Sequence, residues 1–360
     1  MNYITYIYAG GRSKKYLHEE SFAGDFFYGY MQFKKLFNNV NYVELTEDET
    51  GVLDKFLIKV LKIPIYLMKS LKSTGRKNIF ESKNLIFINE SSLFSFFPLY
   101  FFYKKKHKGK VHYFPMGLVE TYLKAHKFSK YYIKWVLSHV DNILFIGKGE
   151  LEAYINNVGF QTEKCNYVPF AIDSHFWRQK KFKSKEIKNL LFVGNDRNRD
   201  YELLNNLCKD AKNYKITVIT NNNNFKHGSL STVNHLSGHW RLNYLSDKDM
   251  LNEYSKADLV LIPLKDSFQP SGQSVALQSL SVGTPVMMTQ NKGFWDRELF
   301  QDMQNIIFQN SDNSKDWIEA IDSISDNETL LDLIATNGRK VIDQNHNLDN
   351  FVKILSSYLI

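Results

Sequence analysis

Cysteine is nearly missing from this chain: 360 residues hold two, Cys165 and Cys208. They stand far apart with no metal-type spacing, which excludes a disulfide framework and points to a reduced, cytosolic setting. Long apolar runs are lacking as well. The most apolar stretch, residues 93–103, is interrupted by Pro98 and falls well short of the ~20 residues a membrane-spanning helix needs. Residues 3–9 read as a first strand, without the basic start, sustained apolar core and cleavage site of a secretory signal. No internal repeat is visible, and the four asparagines Asn221 to Asn224 form a turn-prone loop too short to count as low complexity. The histidines His107, His112 and His126 are scattered, so no metal site is expected.

Acidic residues are scarce in one half only. Residues 1–185 carry 29 Lys and Arg against 16 Asp and Glu, while the remainder is net acidic, giving a formal charge of +8. Residues 51–110 alone hold 13 basic and 3 acidic side chains. Such asymmetry concerns partners rather than fold. Nucleic acid is not the expected partner, because no recognised module is present and the aromatics lie in apolar runs, not among basic residues as stacking platforms do. Residues 53–72 interleave Leu, Ile and Met with Lys at nearly helical spacing, broken by Pro64. Residues 93–103 lead directly into Lys104-Lys105-Lys106. Apolar and basic residues so mixed suit an anionic membrane surface, where each basic residue contributes about 1 kcal/mol.

What is present in quantity is alternation. Strand-like runs at residues 3–8, 84–89, 110–114 and 142–146 are separated by helical stretches at 22–37 and 131–140. A linker is expected over 168–185. A second series follows, with strands at 190–193, 216–220, 242–245, 257–263 and 285–288. Short β runs alternating with helices predict a doubly wound parallel sheet, here twice over. The domains expected are residues 1–175 and 176–345. Residues 346–360 are expected to form a helix that crosses back to the first domain.

The most informative segment is residues 263–289, PLKDSFQPSGQSVALQSLSVGTPVMMT. A strand ends in a polar loop, Pro270-Ser271-Gly272 closes it, and a small-residue helix follows until Gly283. This arrangement aims backbone N–H groups and the positive end of a helix at whatever sits above the sheet, a seat for phosphate. Ser271 is the expected N-cap, Gly272 allows close approach of an anion, and Ser274 adds a hydroxyl in the first turn. Lys265, just beyond the strand end, reaches such an anion as a point charge. A second phosphate-directed turn is Gly194 with Arg197 and Arg199, in LLFVGNDRNRD, where a guanidinium offers bidentate contacts.

These motifs resemble the retaining glycosyltransferases of family 4 (glycosyl transferases group 1). Ser281-Val282-Gly283-Thr284-Pro285-Val286 matches the family's small-x-Gly-x-Pro-Val strand. Val168-Pro169-Phe170-Ala171-Ile172-Asp173 with Phe176 is similar to its interdomain segment, and Gly194 to its nucleotide-domain turn. The likeness covers residues 140–286. The family's Glu-x7-Glu pair is absent, with Pro270 and Gln278 in its place. The resemblance implies a GT-B architecture, α/β with two Rossmann-like doubly wound domains facing a central cleft. It implies Arg199 and Lys265 as catalytic stabilisers of a leaving diphosphate. Gly194, Arg197, Ser271, Gly272, Gln273, Ser274 and Gln278 are the implied donor-binding residues. Gln278 is assigned to ribose hydroxyls, and sugar contact passes to Gln273 or Asp266. Asp25 and Glu90 are candidate acceptor contacts, and base recognition falls to the loops after residues 216–220 and around 240–243.

The implied activity is metal-independent transfer of a sugar, with retention, from a UDP- or GDP-sugar to a lipid-linked or polysaccharide acceptor in cell-surface glycan synthesis. No cofactor beyond the donor is implied, and the expected place is the inner face of the cell membrane. Two rivals stand beside it: a sugar-nucleotide 2-epimerase on the same fold, and a non-catalytic sugar-nucleotide-binding scaffold.

Overall fold

In the computed structural model, β-runs that are apolar throughout become central strands covered on both faces, as parallel sheets require. The structure describes residues 4–18, 22–103, 109–178, 186–226, 231–238 and 245–359. The first lobe runs β1 (Ile4–Tyr8), α1 (Arg12–His18), α2 (Tyr30–Leu36), β2 (Val40–Glu44), α3 (Val52–Leu61), α4 (Leu67–Lys72), α5 (Lys77–Glu81) and β3 (Asn84–Ile88). It continues through α6 (Glu90–Tyr103), β4 (Lys110–Phe114), α7 (Leu118–Lys124), α8 (Lys127–Ser138), β5 (Asn142–Phe145), α9 (Lys148–Asn157) and β6 (Cys165–Tyr167).

The second lobe begins with β7 (Asn189–Val193), α10 (Tyr201–Asp210), β8 (Lys215–Ile219), β9 (Val233–Leu236), α11 (Asp247–Lys256), β10 (Leu259–Ile262) and α12 (Gln273–Val282). It ends with β11 (Val286–Met288), β12 (Ile307–Phe308), α13 (Ser314–Ser325), α14 (Glu328–Asn345) and α15 (Leu348–Tyr358).

Each lobe is one six-stranded sheet, ordered β2-β1-β3-β4-β5-β6 and β12-β11-β10-β7-β8-β9, with every pair parallel. Strand order reverses between β1 and β3 in the first lobe and between β7 and β10 in the second. Ligands of open α/β sheets gather beyond the strands' C-terminal ends at such switch points. The linker and the C-terminus cross between lobes together. Ile172 N donates to His346 O at 2.9 Å, and α15 lies against the first lobe, with Phe351 stacked on Phe114 at 5.7 Å and Asn84 bonded to Leu359 O at 3.2 Å.

Local chemistry explains where the structure departs from expectation. The helix expected over 22–37 is broken because Tyr28 and Gly29 adopt left-handed backbone at φ 50° and 80°. α6 holds Pro98 without ending there. A proline lacks the N–H that would bond the Phe94 carbonyl, and Tyr132 Oη donates to that carbonyl instead, at 2.9 Å. The edge strands β2, β6, β9 and β12 were not expected: each is only partly buried, and VNHL in β9 is short and polar. The strand anticipated at 242–245 and the base-recognition loop around 240–243 lie almost wholly outside the described residues, as do Lys104 to Lys106 and most of the basic linker.

Candidate functional site

The second lobe's switch point is made by two loops zipped together. After β7 the chain turns at Gly194 and reaches α10, whose N-cap Asp200 accepts from the amides of Glu202 and Leu203 at 3.1 and 3.0 Å. After β10 the other loop runs alongside: Asp200 N donates to Pro263 O at 3.0 Å and Lys265 N to Asn198 O at 2.9 Å. Asn198 Nδ2 closes the seam with bonds to Ser271 Oγ at 2.8 Å and Gln269 Oε1 at 3.0 Å. Backbone fixed this way holds the side chain of Arg199 flat across Gly194, where any Cβ would collide with its Nε. Glycine is required there by space, not by φ.

Arg199 is the electrostatic oddity of the molecule. Its side chain is 4% exposed, its closest carboxylate is Asp196 at 3.6 Å from Nε, and neither Nε nor Nη1 has a hydrogen-bond partner among the described residues. A buried guanidinium left so poorly paired costs several kcal/mol. Nη1 lies beside Gly272: a Cβ built there would be 3.1 Å from it and 2.8 Å from Ile262 Cγ2. Gly272 itself, at φ 80°, is the N-cap of α12. This corrects the expectation for Ser271, whose hydroxyl instead accepts from Asn198. Among the described residues none accepts a hydrogen bond from the amides of Gly272, Gln273 or Ser274. A buried cation and the positive end of a ten-residue helix therefore meet at one point, a candidate anion seat.

The seat faces the first lobe. Gly117 and Gly147, at the ends of β4 and β5, would meet Gln269 Cδ at 3.5 Å and Pro270 Cβ at 3.1 Å if each carried a Cβ. Gln273 Nε2 donates across the boundary to Ile146 O at 3.0 Å, and Lys148 bonds Asp296 at 3.1 Å and Glu298 at 2.6 Å. Gly194, Arg199, Ser271, Gly272 and Gln273 thus come together. Ser274 is exposed at the helix start. Arg197 and Lys265 are exposed, with no side-chain partner among the described residues, and Asp266 pairs with Lys292 at 2.6 Å.

Gln278 lies further along α12, with both ends of its carboxamide engaged by protein. Nε2 donates to Asp25 Oδ2 at 2.8 Å and Oε1 accepts from Tyr254 Oη at 3.1 Å. The carboxamide assigned to a ribose therefore joins the lobes instead. Asp25 is buried and also accepts from Asp173 N at 2.6 Å and Trp177 Nε1 at 2.8 Å. Burial pushes its carboxyl up to about 6 against the pull of those donors. Glu90 is buried beneath Met116 N and Tyr113 Oη, at 2.7 and 2.9 Å. Neither acid is free for an acceptor here.

Glu150 was missed by sequence reasoning. Fully buried at the start of α9, it accepts from Gly117 N at 2.8 Å, while Oε2 has no partner among the described residues. Burial, with repulsion from Glu90, raises its carboxyl to about 8. A glutamate in a helix's first turn is ordinary, so no sequence signal marked it.

No protein-family model matches the chain, and no curated protein is similar enough to count as a relative. Solved structures do match, over nearly the whole length of both chains. Sucrose-phosphate synthase from Thermosynechococcus elongatus aligns with a TM-score of 0.73 at 13% identity, covering 99% of this chain and 98% of that one. Anabaena HepE, solved with UDP and glucose, aligns at 0.73 and 10% identity over 100% and 99%. The lipopolysaccharide outer core galactosyltransferase WaaB aligns at 0.61 and 13% over 98% and 99%. The fold is GT-B.

In this GT-B chain the candidate anion seat lies on the second lobe, where Gln269, Pro270 and Gln273 meet the first lobe. A group with two linked phosphoryls suits it chemically. Arg199 supplies fixed positive charge in a dry setting, and the α12 amides supply donors that need no rearrangement.

Proposed function

We propose that the chain is a glycosyltransferase that moves a sugar from a nucleotide-diphosphate donor to a lipid-linked or saccharide acceptor, in cell-surface glycan synthesis. One observation carries the reading: the buried guanidinium of Arg199, whose Nε and Nη1 have no hydrogen-bond partner among the described residues and whose closest carboxylate is Asp196 at 3.6 Å, beside the free amides at the start of α12. The structures solved with UDP and a sugar on the same fold support it. Charge building on the departing diphosphate is met by Arg199 and the helix terminus, which lowers the barrier to breaking the sugar–phosphate bond. Transfer proceeds with retention, the acceptor hydroxyl giving its proton to the leaving diphosphate on the same sugar face. Lys265 adds a mobile charge from the rim. Work takes place at the inner face of a membrane that presents the acceptor.

A second reading, a non-catalytic sugar-nucleotide binder, is favoured by one observation: Gln278, in a position the resemblance gives to a glutamate, is committed to Asp25. Thermal-shift screening against UDP- and GDP-sugars, followed by assay of released nucleotide with and without membrane extract, separates the two. Free nucleotide appearing only with acceptor supports transfer, and binding without turnover supports the binder. An isomerised donor would indicate an epimerase.

A further inference from the structure

The outer helices of the first lobe carry an apolar surface that none of the described residues covers. On α3, Val52 is 87% exposed, Phe56 59% and Val60 48%; on α8, Phe128 is 83% exposed and Tyr131 62%. Both sets recur every three or four residues, so each helix turns one apolar stripe outward. The opposite stripe of α8 is already used, burying Ser129, Ile133, Val136 and Leu137. The two helices meet: Ser129 Oγ donates to Leu61 O at 2.6 Å, where α3 ends, which brings Phe128 beside it. Trp135 extends the stripe to α6 through Phe101, whose ring centroid is 4.8 Å away.

The solvent-facing charge of these helices has one sign. Together α3, α4 and α8 hold seven lysines and one acid. That acid, Asp54, is buried and accepts from the amides of Met68 at 3.0 Å and Lys69 at 3.4 Å, capping α4. Lys55, Lys59, Lys72 and Lys127 are exposed between the apolar residues. Lys130 and Lys134 lie 5.1 and 5.9 Å from the Tyr122 ring, and Lys124 pairs with Glu120 on α7 at 3.0 Å.

A protein partner would have to match every embedded lysine with a carboxylate or bury it unpaired. A bilayer makes no such demand. Phe, Tyr and Trp side chains enter the headgroup–acyl boundary while lysine stems reach back to anionic phosphates. No helix among the described residues is long and apolar enough to cross a membrane, so contact made this way is peripheral. We propose that α3 and α8 dock the first lobe on an anionic lipid bilayer, with the stripe from Val52 to Phe128 and Trp135 lying in the interface. The proposal rests on the membrane part of the functional reading and is independent of the donor site.

Full-length protein is sedimented with phosphatidylcholine vesicles, alone or with roughly 30 mol% phosphatidylglycerol, at low and high salt. The expected result is binding at least about tenfold stronger to the anionic vesicles, weakened by salt. Phe56→Ser with Phe128→Ser should lower it about tenfold or more, and charge reversal at Lys55, Lys59 and Lys127 about a hundredfold. Both variants change exposed residues, and UDP or GDP binding and melting temperature should be unaltered. Equal sedimentation with and without anionic lipid overturns the proposal. So does concentration-dependent dimerisation abolished by the Phe56 and Phe128 changes, which would make the face a self-interface. Nucleotide binding that persists alongside failed vesicle binding removes the membrane contact and leaves the donor site standing.

Discussion

Gln278 Nε2 and Asp25 Oδ2 stand 2.8 Å apart across the boundary between the lobes, although 253 positions separate them in the chain. The carboxylate there already accepts from Trp177 Nε1 and Asp173 N, so the linker, the first lobe and α12 meet on one acidic group. Asp247 makes a second tie nearby, accepting from Ala23 N at 2.7 Å and Lys15 Nζ at 2.5 Å. A neutral donor opposite Asp25 satisfies it without adding a charge. A glutamate at 278 would set two carboxylates face to face.

Gln278→Glu therefore destabilises the protein, by about 2–4 kcal/mol at pH 8, and less at pH 5 where the pair can share a proton. Urea unfolding at the two pH values measures this. A variant as stable as the parent at pH 8 would contradict the tether.

Asp25 also sets a pH signature. Its folded-state carboxyl is raised to about 6, mainly by burial, above the ordinary carboxylate value near 4. The folded state thus holds the proton more tightly than the unfolded chain. Its stabilising contribution is complete below about pH 4 and is lost as pH rises through about 6, a change of about 3 kcal/mol. Asp25→Asn should remove that decline, so the stability difference between variant and parent shifts in the variant's favour from pH 4 to 6.5. A difference independent of pH would count against it.

Glu150 makes the same argument at higher pH. Its carboxyl, raised to about 8 by burial and by Glu90, is neutral at pH 7. Its contribution is lost as pH climbs from the ordinary carboxylate value near 4 through about 8, so the parent should weaken between pH 5 and 8 more than Glu150→Gln does. Chemical denaturation across that range decides it, and parallel curves would place the charge elsewhere.

Gly272 is held at φ 80° with Ile262 Cγ2 and Arg199 Nη1 where a side chain would go. Gly272→Ala should cost about 1–3 kcal/mol of stability and, by displacing Arg199, weaken diphosphate binding about tenfold or more. Calorimetric titration with UDP and GDP checks the second effect. Arg197→Ala and Lys265→Ala, at exposed positions, should each change affinity by only about two- to fivefold.

The inner strands of both sheets were legible because parallel strands covered on both sides, such as LVLI at 259–262, announce themselves as unbroken apolar runs, whereas the partly buried edge strands β2, β6, β9 and β12 carry no such signal. The two loops that meet at Arg199 were legible through their glycines, since Gly194 and Gly272 mark places where backbone comes close to that side chain. The N-cap was misplaced by one residue, because serine caps by side chain whereas Gly272 caps by a left-handed turn that only the fold imposes. Gln278 was misassigned because its partner lies in the other lobe, and no local pattern points to Asp25. Arg199 was one of several nearby cations in the sequence. Only burial set it apart from Arg197 and Lys265, and burial belongs to the assembled sheet.

The most direct measurement is calorimetric titration of UDP, GDP and the parent nucleosides into the protein and into Arg199→Ala. If Arg199 and the α12 amides hold a diphosphate, one of the two diphosphates binds far better than its nucleoside, and the substitution removes about 1.5–3 kcal/mol, roughly 10- to 150-fold in affinity. Equal affinity for nucleoside and diphosphate, or a diphosphate bound as tightly without Arg199, would contradict the account.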